Sequence, residues 1–351
     1  MNNLIKLILY LIPSQRSDVV ISMLRTKNNT GPSRFLNNLI EKSDLRFSKL
    51  GLINSKVLFV ISNTSPFILS LAKLLGKKIV VRVDGFSYMK RYVHYNENVY
   101  SSRKMSLMRL KMNYQMAVTQ FYSDFVVFQS DFSRKMSSKH IYPLSKNNVL
   151  IYNGVDETHF RCNKKYDSPK ISILGNFRDV DLMELYLEAF NKVHEKYPDS
   201  ELLIIGKQNS EVQSIISNFL SKFSSSNKPS IKNVGSVTYE ELPKHLAKAN
   251  IGWHFTLWDW CPNSVLEQMA SGNPVVCAEA GGTVELVGDA GKSLDIEDLI
   301  VTDELLETIV LNTQYIWENI EEYNKAAVDR VKSEFGLKKM SLNYEKVFND
   351  I

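Results

Sequence analysis

The chain has 351 residues, of which 44% are hydrophobic and 23% are charged. This length predicts two domains of about 150–200 residues each, and the composition excludes an intrinsically disordered chain. The three cysteines, Cys162, Cys261 and Cys277, are scattered and have no metal-ligand spacing. We therefore expect free thiols in a reducing, cytoplasmic environment rather than a disulfide scaffold.

Charge is divided unevenly along the chain. Residues 1–165 contain 26 Lys and Arg against 9 Asp and Glu, and residues 166–351 contain 17 against 29, so the net charge of +5 conceals +17 and −12. Aromatic residues interleave the basic ones between Phe86 and Tyr114. This excess favours an anionic partner for the first half, namely a lipid surface, a phosphate-bearing acceptor or a nucleic acid. A solvated basic face is the alternative, and since no nucleic-acid-binding motif is present, we expect no nucleic acid partner.

The N-terminal segment contains a short apolar run, from Leu7 to Ile12. A transmembrane helix needs about 20 apolar residues, so this run is too short to span a bilayer. It predicts either a surface helix packed on the first domain or an interfacial anchor. Together with the basic first half, it indicates a peripheral location at the inner face of the membrane.

Apolar runs of strand length alternate with helical patterns in the first half of the chain. Strands are predicted at 19–24, 57–61, 78–83, 125–128 and 149–151, and helices at 33–41, 66–75 and 103–119. This alternation predicts a parallel sheet flanked by helices. Gly31 lies in the first loop between a strand and a helix, and Asp84 ends the third strand.

The same pattern restarts after a polar stretch at 161–170. Strands are predicted at 171–174, 201–205, 251–255 and 275–278, and helices at 182–197, 212–223, 239–249, 264–270, 303–334 and 337–349. We therefore predict an α/β protein with two Rossmann-like, doubly wound domains, 1–165 and 166–335. In that architecture the domains face each other across a cleft at the carboxyl ends of both sheets.

The segment from Asp259 to Glu285 has the features of a helix N-terminus that binds an anion. The residues at 262–265 are typical of a helix start, with Asn263 or Ser264 as the N-cap. The first N–H groups of a helix lack partners within the helix and carry the positive end of its dipole, so they can bind a diphosphate. The amides concerned are those of Asn263, Ser264, Val265 and Leu266.

Two acids flank this helix start. Glu267 is predicted about one turn inside the helix and Asp259 in the loop before it. Carboxylates in these positions suit neutral hydroxyl groups, such as those of a sugar, better than they suit phosphate. The alternative is an ordinary capped helix with acids near its start.

These residues resemble the donor site of the family-4 type (group 1) glycosyltransferases, which have the GT-B fold. The family signature is two acids separated by seven residues, the second followed by a helix and a G-x-P-V-V turn and strand. Here the acids are Asp259, where the family usually has Glu, and Glu267, and the turn is at 272–276. Weaker matches, over most of the chain, include 153–156, 175–178 and 203–206.

The resemblance implies an enzyme that moves a sugar from a nucleoside diphosphate sugar, its co-substrate, to a polysaccharide or lipid-linked acceptor. It implies retention of the anomeric configuration and a role in making cell-surface polysaccharide, such as lipopolysaccharide or capsule. The second domain would bind the donor, the basic first domain the acceptor, and a terminal helix, 336–351, would cross back to the first domain. Because no D-x-D flanked by strand residues is present, we predict a metal-independent enzyme without a further cofactor.

The basic residues of the donor site depart from the family pattern. The family commonly uses an Arg and a Lys from this region on the phosphates, whereas here Asn176 replaces the Arg and Asp181 the Lys. Arg178 is the expected substitute, and Lys207 is a less favoured one. The departure leaves a second hypothesis open, that of a binding or scaffolding subunit which keeps the fold with impaired catalysis.

Further candidates are less specific. Asp84 is predicted to orient or deprotonate the acceptor hydroxyl, although a strand-to-turn Asp-Gly is also a common structural element. Arg82 either binds an anionic acceptor or pairs with Asp84. Gly31 would lie beside the donor phosphates in this architecture. The cluster Trp253, Trp258 and Trp260 either stacks on a sugar or packs in the core.

Overall fold

The computed structural model describes residues 17–22, 31–49, 51–86, 103–144, 147–160, 167–224 and 228–351. It separates into two compact units. The first contains the described residues up to Gly154 together with Leu337–Ile351, and the second contains Val155–Gly336. The N-terminal apolar run, Cys162 and most of the interleaved basic and aromatic stretch before position 103 lie outside the described residues.

The first unit is built on six parallel strands. They are β1 (Val19–Ser22), β2 (Phe47–Ser48), β3 (Val57–Ile61), β4 (Lys78–Val83), β5 (Phe125–Phe128) and β6 (Asn148–Leu150), in the order β2-β1-β3-β4-β5-β6. The helices are α1 (Gly31–Lys42), α2 (Pro66–Leu74), α3 (Arg103–Tyr122) and α4 (Asp131–His140). Strands β1 and β3 are buried along their whole length, as expected for parallel strands covered on both faces.

The second unit also has six parallel strands. They are β7 (Lys170–Phe177), β8 (Glu201–Gln208), β9 (Ser230–Gly235), β10 (Ile251–His254), β11 (Val275–Ala278) and β12 (Lys292–Leu294). The helices are α5 (Val180–Lys196), α6 (Ser210–Ser221), α7 (Leu242–Leu246), α8 (Asn263–Ala270), α9 (Thr283–Val287), α10 (Asp303–Glu318) and α11 (Ile320–Arg330), after which Val331–Phe335 forms a π turn.

The strand order of the second unit is β12-β11-β10-β7-β8-β9. The chain therefore runs outward from β7 on one side and from β10 on the other, which is the strand order of the Rossmann fold. Ligands of such sheets bind outside the carboxyl ends of the strands, where the direction of winding reverses. The ends of β7 and β10 are thus the expected ligand site of this unit.

The core of the second unit contains part of the predicted aromatic cluster. Trp253 is completely buried and its Nε1 donates to Thr313 Oγ1 at 3.1 Å. The Phe255 N–H donates to the Tyr186 hydroxyl at 2.8 Å, and the rings of these two residues stack with centroids 4.9 Å apart. Trp253 is therefore a core residue and does not stack on a ligand.

Helix α12 (Leu337–Asp350) belongs to the first unit, although it follows the second in sequence. The ring of Tyr344 lies 5.2 Å from that of Phe35, and the ring of Phe348 lies 5.2 Å from that of Phe59. These contacts place the helix in the core that covers one face of the first sheet. Within the described part of the chain, no helix combines the length and apolarity needed to cross a membrane.

Candidate functional site

Helix α8 begins at the carboxyl end of β10 without a side-chain cap. Its N-cap is Pro262, with φ −70° and ψ 119°, and no capping side-chain hydrogen bond is formed there. The prediction of Asn263 or Ser264 as the N-cap is wrong, because the extended Pro262 lets the helix start one residue earlier. The Val265 N–H donates to the Pro262 carbonyl at 3.2 Å. The first turn therefore presents the amides of Asn263 and Ser264 without competition from a capping side chain.

Glu267 and Asp259 differ in their environment. Glu267 is buried in the second turn of α8, whereas Asp259 is half-buried in the loop before the helix. The Gly282 N–H donates to the Asp259 carbonyl at 2.7 Å. Gly281 has φ +153°, and a Cβ there would lie 2.9 Å from the Asp259 carbonyl oxygen. The two glycines of the motif therefore hold the Asp259 loop by close backbone contact.

The loop that carries Asp259 has further tertiary support. Trp258 has a left-handed backbone, with φ 53°, and its N–H donates to the Ala280 carbonyl. His254, the last residue of β10, is buried, and its Nε2 lies 3.7 Å from Asp259 Oδ2 without a hydrogen-bond partner among the described residues. Sequence reasoning alone does not identify His254 as a candidate site residue. Its position at the carboxyl end of a strand beside the switch point was the signal for a site residue.

The end of β7 carries the residues predicted to bind phosphate. Asn176 and Arg178 are both exposed there. Asn176 is the register partner of Lys207 on β8, which is also exposed. Lys207 therefore stands directly beside the position where the family pattern has its basic residue. Asp181 is exposed in the first turn of α5, one residue after the helix begins.

A close contact of two glycines brings these strand ends together. Gly175 and Gly206 are register partners on β7 and β8. Gly206 has φ +135°, and a Cβ there would lie 1.8 Å from the Gly175 carbonyl oxygen. Only glycine fits at position 206, because any side chain would collide with backbone.

In the first unit, Asp84 is held by a buried network. Arg82, fully buried, donates through Nη1 to Asp84 Oδ1 and through Nη2 to Asn153 Oδ1 at 2.8 Å. The Gln129 side chain also donates to Asp84 Oδ1, at 2.7 Å. The guanidinium lies 3.8 Å from the centroid of the Phe35 ring. Of the two roles predicted for Arg82, the structure therefore shows the pairing with Asp84.

Gly31 is the first residue of α1 rather than a residue of the preceding loop. The first turn of α1 contains no acidic residue that would offset the positive end of the helix dipole. β1 and β3, whose carboxyl ends flank the reversal of winding in this sheet, are linked by a hydrogen bond of 2.7 Å between Ser22 Oγ and Thr64 Oγ1.

The buried thiol of Cys277, in β11, is not a nucleophile. Burial, with a smaller effect from Glu279, raises the pKa of Cys277 to about 12, so the thiol stays protonated at neutral pH. In the described ranges, no group of three or more His, Cys, Asp or Glu could hold a metal ion. Independence from metal and cofactor stays a prediction.

Two Rossmann-like units, each built on a six-stranded parallel sheet, define the GT-B class. The solved structure of Anabaena HepE, in complex with UDP and glucose, has a TM-score of 0.69 to this chain at 11% identity, and the match covers 95% of this chain and 100% of that one. The predicted GT-B fold is confirmed.

The family model of the group 1 glycosyl transferases matches residues 168–310. Over 223 residues the chain is 25% identical to GDP-Man:Man(3)GlcNAc(2)-PP-Dol alpha-1,2-mannosyltransferase of Xenopus laevis, covering 58% of this chain and 45% of the relative. Over 197 residues it is 24% identical to an uncharacterized glycosyltransferase of Methanocaldococcus jannaschii, covering 53% of this chain and 45% of the relative. The matches thus span about half the length of these relatives. Residues 168–310 thus match the group 1 glycosyltransferase family, in agreement with the resemblance found in the sequence.

Proposed function

We propose that the protein is a glycosyltransferase that takes a sugar from a nucleoside diphosphate sugar, with the second unit as the donor-binding unit. The observation that carries this proposal is the start of α8. Its first turn has no capping side chain, it follows the strand at the switch point of the sheet, and the buried Glu267 lies one turn further in. Such a helix end binds a diphosphate through its amides and dipole.

The catalytic task is to stabilise the charge that develops on the leaving diphosphate. Amides aimed at that charge are already oriented, so they lower the barrier without reorganising. Arg178 and Lys207 are exposed at the neighbouring ends of β7 and β8 and are the proposed cations for the same phosphates. Asp259 and Glu267 are the proposed ligands of the sugar hydroxyls. The UDP and glucose in the HepE structure support UDP-glucose as the first donor to assay.

Acceptor activation is assigned to Asp84 of the first unit. Because Arg82 and Gln129 both donate to Oδ1 of Asp84, the carboxylate is held in one orientation. Such a carboxylate can orient an acceptor hydroxyl and take its proton. We expect Asp84→Asn to lower transfer to the acceptor while leaving the affinity for UDP unchanged.

The acceptor class, stereochemistry and location are finer parts of the same proposal. A polysaccharide or lipid-linked acceptor, retention of configuration and a metal-independent reaction are supported by the group 1 family relation. A peripheral position on an anionic membrane is supported by the net charge of +17 in residues 1–165. Product analysis by NMR tests retention, and transfer that is abolished by EDTA would contradict metal independence.

The decisive experiment combines binding and turnover. Calorimetry with UDP and GDP measures donor binding, and a panel of nucleotide sugars assayed for nucleotide release measures catalysis. Binding with turnover supports the proposed function. Binding without turnover on any donor would favour the alternative, a binding or scaffolding subunit with impaired catalysis. That alternative follows from the replacement of the family's basic residues by Asn176 and Asp181. Absence of binding at millimolar nucleotide would overturn the donor site.

A further inference from the structure

Helix α3 carries a row of exposed apolar side chains on its solvent side. Leu107, Leu110, Tyr114 and Phe121 are 59, 66, 68 and 64% exposed. Steps of three, four and seven residues place these four side chains in one row along a helix. At about 1.5 Å per residue, the row is roughly 21 Å long. We call these four residues the α3 stripe.

The opposite face of α3 anchors the helix in the first unit. Met116, Thr119 and Gln120 are buried. The Thr64 N–H donates to Thr119 Oγ1 at 3.4 Å, and Gln120 Nε2 donates to Ser137 Oγ at 3.1 Å. With about 3.6 residues per turn, these residues lie on the far side of the helix from the stripe. The helix therefore cannot turn the stripe inward without breaking its own buried contacts.

Neighbouring elements extend the apolar surface. The Phe121 ring lies 6.3 Å from that of Tyr142, and Leu144, two residues further, is exposed. On the other side, Ser70 Oγ of α2 donates to the Tyr122 hydroxyl at 3.3 Å, and α2 exposes Phe67 and Leu74. Contiguous exposed apolar surface of this kind marks an interaction site rather than scattered surface residues.

The charge of α3 indicates which partner the stripe binds. None of its 20 residues is acidic and four are basic, and of these four Lys111 is exposed, directly after Leu110 of the stripe. A second copy of the chain would bring the same positive charge to the contact. An anionic bilayer instead offers negative headgroups to the basic residues and an apolar layer to the stripe.

We propose that the α3 stripe, together with the exposed Lys111 beside it, docks the first unit on an anionic lipid bilayer, with the helix lying in the plane of the headgroups. This inference identifies the surface by which the first unit would bind the anionic membrane of the proposed function. It rests on that part of the proposed function. It does not depend on donor chemistry, because the stripe and α8 belong to different units. Docking would bring the first unit to an acceptor held in the same membrane.

The test is cosedimentation of the full chain with vesicles of phosphatidylcholine, with and without phosphatidylglycerol. Leu110→Ser/Tyr114→Ser removes two stripe residues, and Lys111→Gln removes one exposed charge. A matched control is available on α10, where Leu311 and Tyr315 have the same spacing and are 62 and 51% exposed, on a helix with four acids and no basic residue. The control variant is Leu311→Ser/Tyr315→Ser.

We expect the wild-type chain to bind vesicles that contain phosphatidylglycerol and to bind pure phosphatidylcholine much more weakly. The stripe variant should lose at least about tenfold in partitioning, Lys111→Gln about fivefold, and the control variant nothing. All variants should keep the wild-type UDP affinity and melting temperature. Retained donor binding with lost vesicle binding thus separates this proposal from the proposed function.

Three results would overturn the docking proposal. One is wild-type binding that does not depend on phosphatidylglycerol. Another is equal loss of partitioning in the stripe and control variants. The last is a wild-type chain that does not bind vesicles of either composition. If that chain also forms a dimer that the stripe variant cannot form, the stripe is a self-association surface.

Discussion

His254 Nε2 lies 3.7 Å from Asp259 Oδ2, beyond hydrogen-bond length, and the histidine is buried. A hydroxyl of the bound donor sugar that contacts both residues would satisfy the Nε2 atom and fix the sugar. We therefore expect His254→Leu to lower kcat for transfer at least about fivefold, as for loss of one hydrogen bond. UDP affinity should not change, because the diphosphate binds at the start of α8. His254→Gln, which keeps an N–H donor, should recover most of the activity. Equal losses in both variants, or a parallel loss of UDP affinity, would mean that His254 only supports the fold.

Glu267→Gln tests the second acid of the motif without changing its size. Loss of the carboxylate should lower turnover at least about tenfold, equivalent to ~1.4 kcal/mol of barrier. The reason is that a neutral amide accepts weaker hydrogen bonds from the sugar hydroxyls than a carboxylate does. Nucleotide release and thermal melting are measured side by side. The control is Glu304→Gln, an exposed acid in the first turn of α10. Wild-type turnover by a normally folded Glu267→Gln variant would refute the assignment.

Two cations are expected to share the donor phosphates. Arg178→Ala and Lys207→Ala should each weaken UDP binding about tenfold in calorimetry, as for loss of a charged hydrogen bond. Asn176→Arg, at the exposed register partner of Lys207, should strengthen it. Lys222→Ala, on the outer surface near Glu188, is the control and should have no effect. Arg178→Ala should also weaken UDP binding more than Asp84→Ala does, and the reverse order would contradict the phosphate role.

The Arg82–Asp84 pair is expected to be coupled in stability. Arg82→Met leaves the Asp84 carboxylate without its counter-charge, so the free energy of unfolding should fall by about 3–5 kcal/mol. Arg82→Met/Asp84→Asn should recover part of that loss, because the uncompensated charge is gone. Urea denaturation of the two single variants and the double variant gives the coupling energy. Strict additivity would mean that the pair does not interact.

Gly206→Ala is expected to be far more damaging than Gly235→Ala. Both glycines have positive φ, +135° and +74°, but only at 206 would the new Cβ meet backbone, the Gly175 carbonyl at 1.8 Å. At 235 nothing lies within 4 Å, so the cost there is that of the left-handed backbone alone, about 1–2 kcal/mol. Melting temperature and UDP affinity should both fall for Gly206→Ala. Equal melting temperatures in the two variants would show that β7 and β8 separate easily at this point.

The strands with continuous apolar runs were predictable because burial on both faces leaves a strong signal. β3 and β11 occur at the predicted residues. β9 and α4 were missed, since β9 is largely exposed and α4 has a polar sequence, so neither shows a clear apolar pattern. The predicted helix 303–334 is interrupted at Asn319, where the local backbone leaves the helical region.

The candidate site was predictable where it depends on local order in the chain. The start of α8 and the acids Asp259 and Glu267 follow from one sequence motif. The family resemblance then led to their interpretation as a donor site. The pairing of Asn176 with Lys207 depends on strand register, and the approach of His254 to Asp259 on loop conformation. Neither is encoded in a local pattern, so both required the structure.

Helix α12 has a consequence for how the chain is made. Residues near 350 complete the core formed by Phe35 and Phe59, more than 280 positions earlier. During synthesis the second unit can therefore fold before the first unit is finished, although the usual order is N-terminal first. Part of the first sheet therefore stays uncovered until the residues of α12 have left the ribosome.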